Sequence, residues 1–396
     1  MINEKNKALG IHPSVIRNLY EYANKRKKEI GEDKVFDYSL GNPSSKTPKE
    51  VNDILISLIN DEENVHSYTS SNGLEETRIA VKEYLEKTYH TTLNADYIFI
   101  TSGAAPALSI AANALTIRDN HDEAIVFAPH FPDYRVFCEN AGASLVTVQP
   151  DPKTFLPDFN DFEKKINKHT KFVIYNSPLN PTGVVYKEDT ILRLTSILKK
   201  KELEYNHPIY LISDEPYREL IYDDIKYPFI TNYYDNSIVC YSFSKCLSLP
   251  GERIGYLVVN PKCYDAASLF YAIRGAAWSL GYICAPSLFQ RMIPLTLGLT
   301  SDLNYYRINR DLLYQNLIKI GYDVIYPDGA FYIFVKALEP DAIQFSEIAK
   351  KFELILVPSD SFDYPGYVRL AYCVKKEVIE ASIKAFKQLF DYYKDK

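Results

Sequence analysis

The chain has 396 residues, 46% of them hydrophobic and 24% charged, with a formal net charge of −6 at pH 7. That length carries a sizeable core and two domains. A negative balance with no basic block beyond Lys25-Arg26-Lys27-Lys28, which reads as a solvated helix face, argues against nucleic acid as the main partner.

Met1–Lys7 has neither an apolar core nor a small-residue cleavage site, so no secretory leader is expected. From about residue 70 short apolar runs alternate with amphipathic ones. A helical period over Leu74–His90 leads to a strand at Tyr97–Ile100, a helix at Pro106–Ile117 and a strand at Ala124–Phe127. A helix near Tyr134–Asn140, a strand at Ser144–Val148, a helix near Phe159–Asn167 and a strand at Lys171–Tyr175 come next. A charged helix, Asp189–Glu204, precedes strands at Ile209–Ile212, Ile238–Tyr241 and Tyr256–Val259. This alternation predicts a mostly parallel α/β sheet flanked by helices.

The apolar stretch Leu269–Phe289 contains Arg274, two glycines and Pro286, which suits a buried helix and turn better than a membrane span. A long helix at Leu303–Ile320 then opens an α+β region. Its strands are Phe331–Val335, Ile355–Val357 and Val368–Tyr372, with helices near Ser346–Phe352 and Val378–Tyr392. The expected division is a large domain over 46–285 and a small α+β domain made of 1–45 and 286–396. Six cysteines, with no Cys-x-x-Cys pair and no histidine cluster, predict reduced thiols in a cytoplasmic protein and no metal site.

The chemistry gathers just past the predicted strand ends, where open α/β sheets bind ligands. Lys245 stands between small hydroxyl residues in Ser242-Phe243-Ser244-Lys245, with Arg253 eight residues on. A lysine amine forms imines with aldehydes, and pyridoxal phosphate is the aldehyde cofactor that uses one, with the serines and Arg253 suited to its phosphate. Alone, the motif also fits an exposed lysine in a turn. Ser102-Gly103-Ala104 opens a helix whose amides suit a phosphate, or is an ordinary strand-to-helix turn. The prolines of Asn176–Gly183 pin Asn180 in a rigid loop. Asp214 places an anion after a buried strand, as a pyridinium nitrogen requires or as a helix cap supplies, and Tyr217 adds a donor. Arg369 is a cation inside an apolar strand, fitted to grip an α-carboxylate or to join a structural salt bridge.

With these motifs in place, the chain resembles the class I/II aminotransferases of the aspartate aminotransferase family (fold type I pyridoxal-phosphate enzymes), from Leu40-Gly41-Asn42-Pro43 to Arg369. The segment Ser242–Gly255 matches the cofactor-attachment pattern at every specified position. The resemblance implies that Lys245 forms the internal aldimine, that Asp214 pairs with the pyridine nitrogen, and that Asn180 and Tyr217 bond the ring hydroxyl. Ser102, Gly103, Ala104, Ser242 and Arg253 would hold the phosphate, and Phe131 would stack on the ring. Gly41, Asn180 and Arg369 would face the substrate. Tyr68 would reach the phosphate of a neighbouring subunit in a homodimer. Ala104 departs from the pattern where many relatives place a hydroxyl, and Phe131 where others place Trp or Tyr.

The implied reaction moves an amino group from an L-amino acid to a 2-oxo acid, with 2-oxoglutarate as acceptor. A carbon–sulfur β-lyase would use the same residues. A non-catalytic cofactor-binding regulator is a further alternative, disfavoured because only about 40 residues precede Gly41. Arg274 stays open between a side-chain carboxylate ligand and a buried structural arginine.

Overall fold

The computed structural model describes residues 2–11, 14–61 and 65–395; residues 1, 12, 13, 62–64 and 396 of the two expected domains lie outside that description. Two compact units divide the chain. The larger comprises Ser45–Leu179 and Val184–Leu303, the smaller Met1–Ser44, Asn180–Gly183 and Asn304–Lys396.

The larger unit is built on a seven-stranded sheet. From one edge its strands are Ile98–Thr101, Gly255–Val259, Ser237–Ser242, Tyr210–Asp214, Thr170–Asn176, Glu123–Phe127 and Ser144–Val148. Gly255–Val259 runs against both its neighbours, and every other pair outside it is parallel. Both faces are apolar because helices cover both. Along Thr170–Asn176, Phe172 and Ile174 join one buried cluster while Val173 and Tyr175 join the other. The predicted strands lie within a residue or two of the observed ones.

Three features differ from the sequence reading. A helix at Lys49–Asp61 was not anticipated. The helix Ser287–Thr296 belongs to the larger unit, where it buries Met292 and Ile293 and packs on Lys49–Asp61 and Glu75–Tyr89, so that unit runs to Leu303 instead of 285. Pro286 marks the start of this helix and no domain boundary. Lastly, the helix Ala266–Leu280 is apolar nearly all round but buries only one side. In the single chain Tyr271 is 68% and Trp278 77% exposed, and Arg274 is exposed rather than buried.

The smaller unit carries a four-stranded antiparallel sheet in the order Val357–Pro358, Tyr367–Ala371, Tyr332–Lys336, Val324–Ile325. The run expected as one strand at Ile355–Val357 is split at Leu356. Leu354–Ile355 pairs in parallel with Phe36–Asp37, and Val357–Pro358 joins the antiparallel sheet. The helix Val15–Ile30 buries Ile16, Leu19 and Ala23, three positions at helical spacing. Its basic cluster is partly paired, Arg26 with Glu29 and Glu353 and Lys27 with Asp37. Among the described residues no helix is long and apolar enough to cross a membrane.

Candidate active site

The strand directions bring six chain segments to one edge of the larger sheet. Thr101, Ser242, Asp214, Asn176 and Phe127 end strands that run the same way, while the reversed strand begins there at Gly255. Register places Thr101 and Ser242 on either side of Gly255, so the turns carrying Ser102-Gly103, Lys245 and Arg253 converge.

Gly103 caps the helix Ala104–Leu115 at φ 92, with no side chain to satisfy the first-turn amides. A Cβ on Gly103 would lie 2.7 Å from Nη2 of Arg253, so the guanidinium sits against this helix terminus only because the residue is glycine. Nη1 of Arg253 donates to Ser244 Oγ at 3.3 Å and to the Pro250 carbonyl at 3.1 Å, and the Ser242 and Ser244 hydroxyls are 2.8 Å apart. A helix terminus with no side-chain cap, its dipole, a guanidinium and two hydroxyls together suit a phosphate. Ala104 is buried there and Ser102 half-buried.

Lys245 follows the strand Ser237–Ser242 by three residues. Its turn is pinned from below: Phe243, Cys246 and Leu247 are buried, Phe243 N donates to the Ile254 carbonyl, and Cys246 Sγ lies 3.0 Å from the Tyr241 hydroxyl. Lys245 itself is left half-buried.

Asp214 ends the neighbouring strand and is 5% exposed. The Tyr134 hydroxyl donates to Oδ2 at 2.5 Å, while Oδ1 is buried with no hydrogen-bond partner. Burial pushes the Asp214 carboxyl up to about 7; the Tyr134 hydrogen bond opposes that rise and the nearby Glu215 charge adds to it. A protonated ring nitrogen is the kind of group that would complete Oδ1 and restore the anion. Tyr217 is buried three residues further on. Phe131 is half-buried and meets Tyr134 edge to face, ring centroids 5.8 Å apart. On these observations the residues of the larger unit fit pyridoxal phosphate.

Tyr134 escaped the sequence reading. Its only signal was a position one helical turn after Phe131, in the helix Asp133–Ala141.

The smaller unit gathers Gly41, Asn180 and Arg369. Arg369 is 1% exposed at the middle of its strand, opposite Phe334 on one side and Val357 on the other. It donates from Nη1 to Asn180 Oδ1 at 3.1 Å and from Nη2 to the Ser39 carbonyl. Its guanidinium lies 4.6 Å from the Tyr332 ring centre and 5.2 Å from that of Phe362. Any Cβ on Gly41 would collide with the Tyr332 hydroxyl, so the backbone there approaches the same tyrosine closely.

Two predicted residues stand apart. Tyr68 is 98% exposed, and its segment His66–Thr69 lines a surface cavity with Ile283, Cys284 and Ala285. Arg274 lies on the exposed side of its helix.

Residues 33–386 match the family described as aminotransferase class I and II. A solved aminotransferase from Eubacterium rectale is 51% identical, with a TM-score of 0.97 and 99% of each chain covered. A probable aspartate aminotransferase from Methanocaldococcus jannaschii is 31% identical over 396 residues, 96% of this chain and 98% of its own. A probable N-acetyl-LL-diaminopimelate aminotransferase from Bacillus subtilis is 31% identical over 360 residues, covering 88% of this chain and 87% of its own.

Proposed function

Because this chain belongs to the class I and II aminotransferases, fold type I enzymes that work with pyridoxal phosphate, we propose that it transfers the amino group of an L-amino acid to 2-oxoglutarate by way of Lys245. The observation that carries this reading is the pairing, at one sheet edge, of Lys245 with a buried Asp214 whose Oδ1 lacks a partner. The cofactor supplies an aldehyde for the amine and a ring that withdraws electrons once its nitrogen is protonated.

The protein's own groups divide the remaining tasks. Lys245 would hold the cofactor through its amine and would move a proton at the substrate α-carbon. Asp214 would keep the ring nitrogen protonated, a role that its unpartnered Oδ1 supports. Tyr217, Asn180 and Phe131 would help to hold the cofactor ring. Gly103, Ala104, Ser102, Ser242 and Arg253 would hold the phosphate. Arg369 takes the α-carboxylate in its planar fork, with Gly41 beside the substrate. Tyr68 completes the phosphate site of a second copy. A homodimer is supported by the almost full exposure of Tyr68 and by the uncovered aromatic side chains of Tyr271 and Trp278.

A panel of amino donors tests the reading, each scored by the spectral change of the bound cofactor in a half-reaction without acceptor. Conversion that stops at one equivalent and resumes on adding 2-oxoglutarate is the expected result. Continuous release of ammonia and a keto acid without any acceptor would replace the transferase with a lyase. Relatives named for aspartate and for N-acetyl-LL-diaminopimelate share the same 31% identity with this chain, so aspartate, glutamate and longer acidic donors lead the panel.

A further inference from the structure

Asp214 is followed directly by a second buried acid, Glu215, at 0% exposure. Successive residues at a strand end face opposite ways, and the contacts follow that rule. Asp214 meets Tyr134 across one face of the sheet. Glu215 accepts from Ser213 Oγ at 2.7 Å through Oε1 and from Arg218 Nη1 at 2.9 Å through Oε2.

Arg218 is itself buried, at 2%, and held from every side. Nη2 donates to the Tyr256 hydroxyl at 2.7 Å, and its guanidinium lies 4.2 Å from the Tyr241 ring centre, 5.2 Å from that of Tyr89 and 5.7 Å from that of Phe229. Glu219, 15% exposed, shares the cation at 3.4 Å and accepts from Tyr241 at 2.9 Å. A desolvated guanidinium fixed this way has no structural freedom to leave Glu215. Nor does any hydrogen bond tie it to Asp214.

We propose that Arg218 is a positioning residue for Asp214: by neutralising Glu215 it leaves Asp214 as the one uncompensated carboxylate at the sheet edge. Two buried carboxylates in adjacent positions would otherwise share a proton or expel one charge. The direction of each perturbation agrees. Burial drives the Glu215 carboxyl upward and Arg218 draws it back, while the charge on Glu215 raises Asp214. Other titratable groups near Asp214 include Tyr134 from the helix Asp133–Ala141 and Cys240 from the next strand, both held neutral by burial, and Lys245 lies at the same sheet edge. Asn176 Nδ2 donates to the Asp214 carbonyl.

The inference rests on Asp214 being the partner of the ring nitrogen, so its test is read without cofactor. Full-length cofactor-free protein, labelled with carbon-13 at the aspartate carboxyls, reports the Asp214 midpoint, and Asp214→Asn identifies the signal. Arg218→Gln strips Glu215 of its counter-charge and moves the midpoint up by roughly one pH unit; Glu215→Gln leaves the cation in excess and moves it down by a similar amount. The double variant returns toward the wild-type value. A purely structural role would move both single variants the same way, and that outcome, or two unmoved midpoints, overturns the proposal. Should Arg218→Gln not fold, Glu215→Gln decides alone, an unmoved or raised midpoint counting against it. Failure of the wild-type protein to take up cofactor would remove the assigned role of Asp214 without touching these midpoints, so the two failures are told apart.

Discussion

Asp214 and Arg369 are both buried charges, and the two units hold them in different ways. Asp214 stands at the end of a parallel strand with one oxygen bonded by Tyr134 and the other unmatched. Arg369 stands in the middle of an antiparallel strand, bonded by Asn180 and Ser39 and laid over two aromatic rings. Strand ends of a parallel sheet open onto the ligand edge, so a carboxylate there can wait for its counter-ion at a cost in stability. The middle of an antiparallel strand has no such opening, and the cation must be oriented by the protein beforehand. On the proposed reading, one charge would be completed by its ligand and the other is aimed before the ligand arrives.

Both charges matter for catalysis only if they serve the amine of Lys245, so its loss should break the comparison outright. Lys245→Ala removes covalent attachment and a proton transfer that alone is worth about 10²–10⁴-fold, and turnover should fall below detection. Steady-state rates and borohydride labelling check this; near-normal activity would sink the assignment. Arg369→Ala removes charge-assisted bonds of about 1.5–3 kcal/mol each, so kcat/KM should drop by tenfold or more with cofactor affinity retained. Unchanged kinetics would return Arg369 to a structural role.

A stability measurement sharpens the other side. An acid raised from its ordinary value to about 7 favours the folded state while protonated, so Asp214 stabilises the cofactor-free protein at low pH and loses that contribution as pH rises from about 4 to about 7. Asp214→Asn should remove a decline on the order of 2–4 kcal/mol across that window. Urea melts of both proteins at several pH values test it, and parallel pH dependences would contradict it. Gly103→Ala should be milder. The added methyl meets Arg253 and forces a left-handed backbone, about 1–3 kcal/mol of strain, seen as roughly tenfold or greater weakening of cofactor binding. Smallest is Tyr134→Phe, which deletes the bond to Oδ2 and should raise the Asp214 midpoint further while leaving the fold intact.

Legibility in the sequence followed the same division. The sheet was readable because its strands are largely apolar runs cut by turns, and the edge residues were readable because each followed such a run. Arg369 showed itself as a cation among Val368, Leu370 and Ala371. Tyr134 did not, being one of 33 tyrosines with nothing local to mark its contact with a strand 80 residues away. The Glu215–Arg218 pair lay in plain view beside Asp214, but its burial depends on Tyr89, Phe229 and Tyr241, which arrive from distant segments. Leu356 hid a change of sheet, since a bend between two-residue strands leaves no mark on an apolar run.

The smaller unit is assembled from three separate stretches of chain, one of them only Asn180–Gly183. Neither unit can therefore be encoded as a single uninterrupted gene fragment, and cutting any one peptide bond cannot release either of them intact. A protease nick at residues 180–183 would strip Asn180 from the support of Arg369 even though the remaining chain stayed nearly whole. For anyone hoping to graft the Arg369–Asn180 pair onto another scaffold, the transplant must carry that tetrapeptide along with the strand.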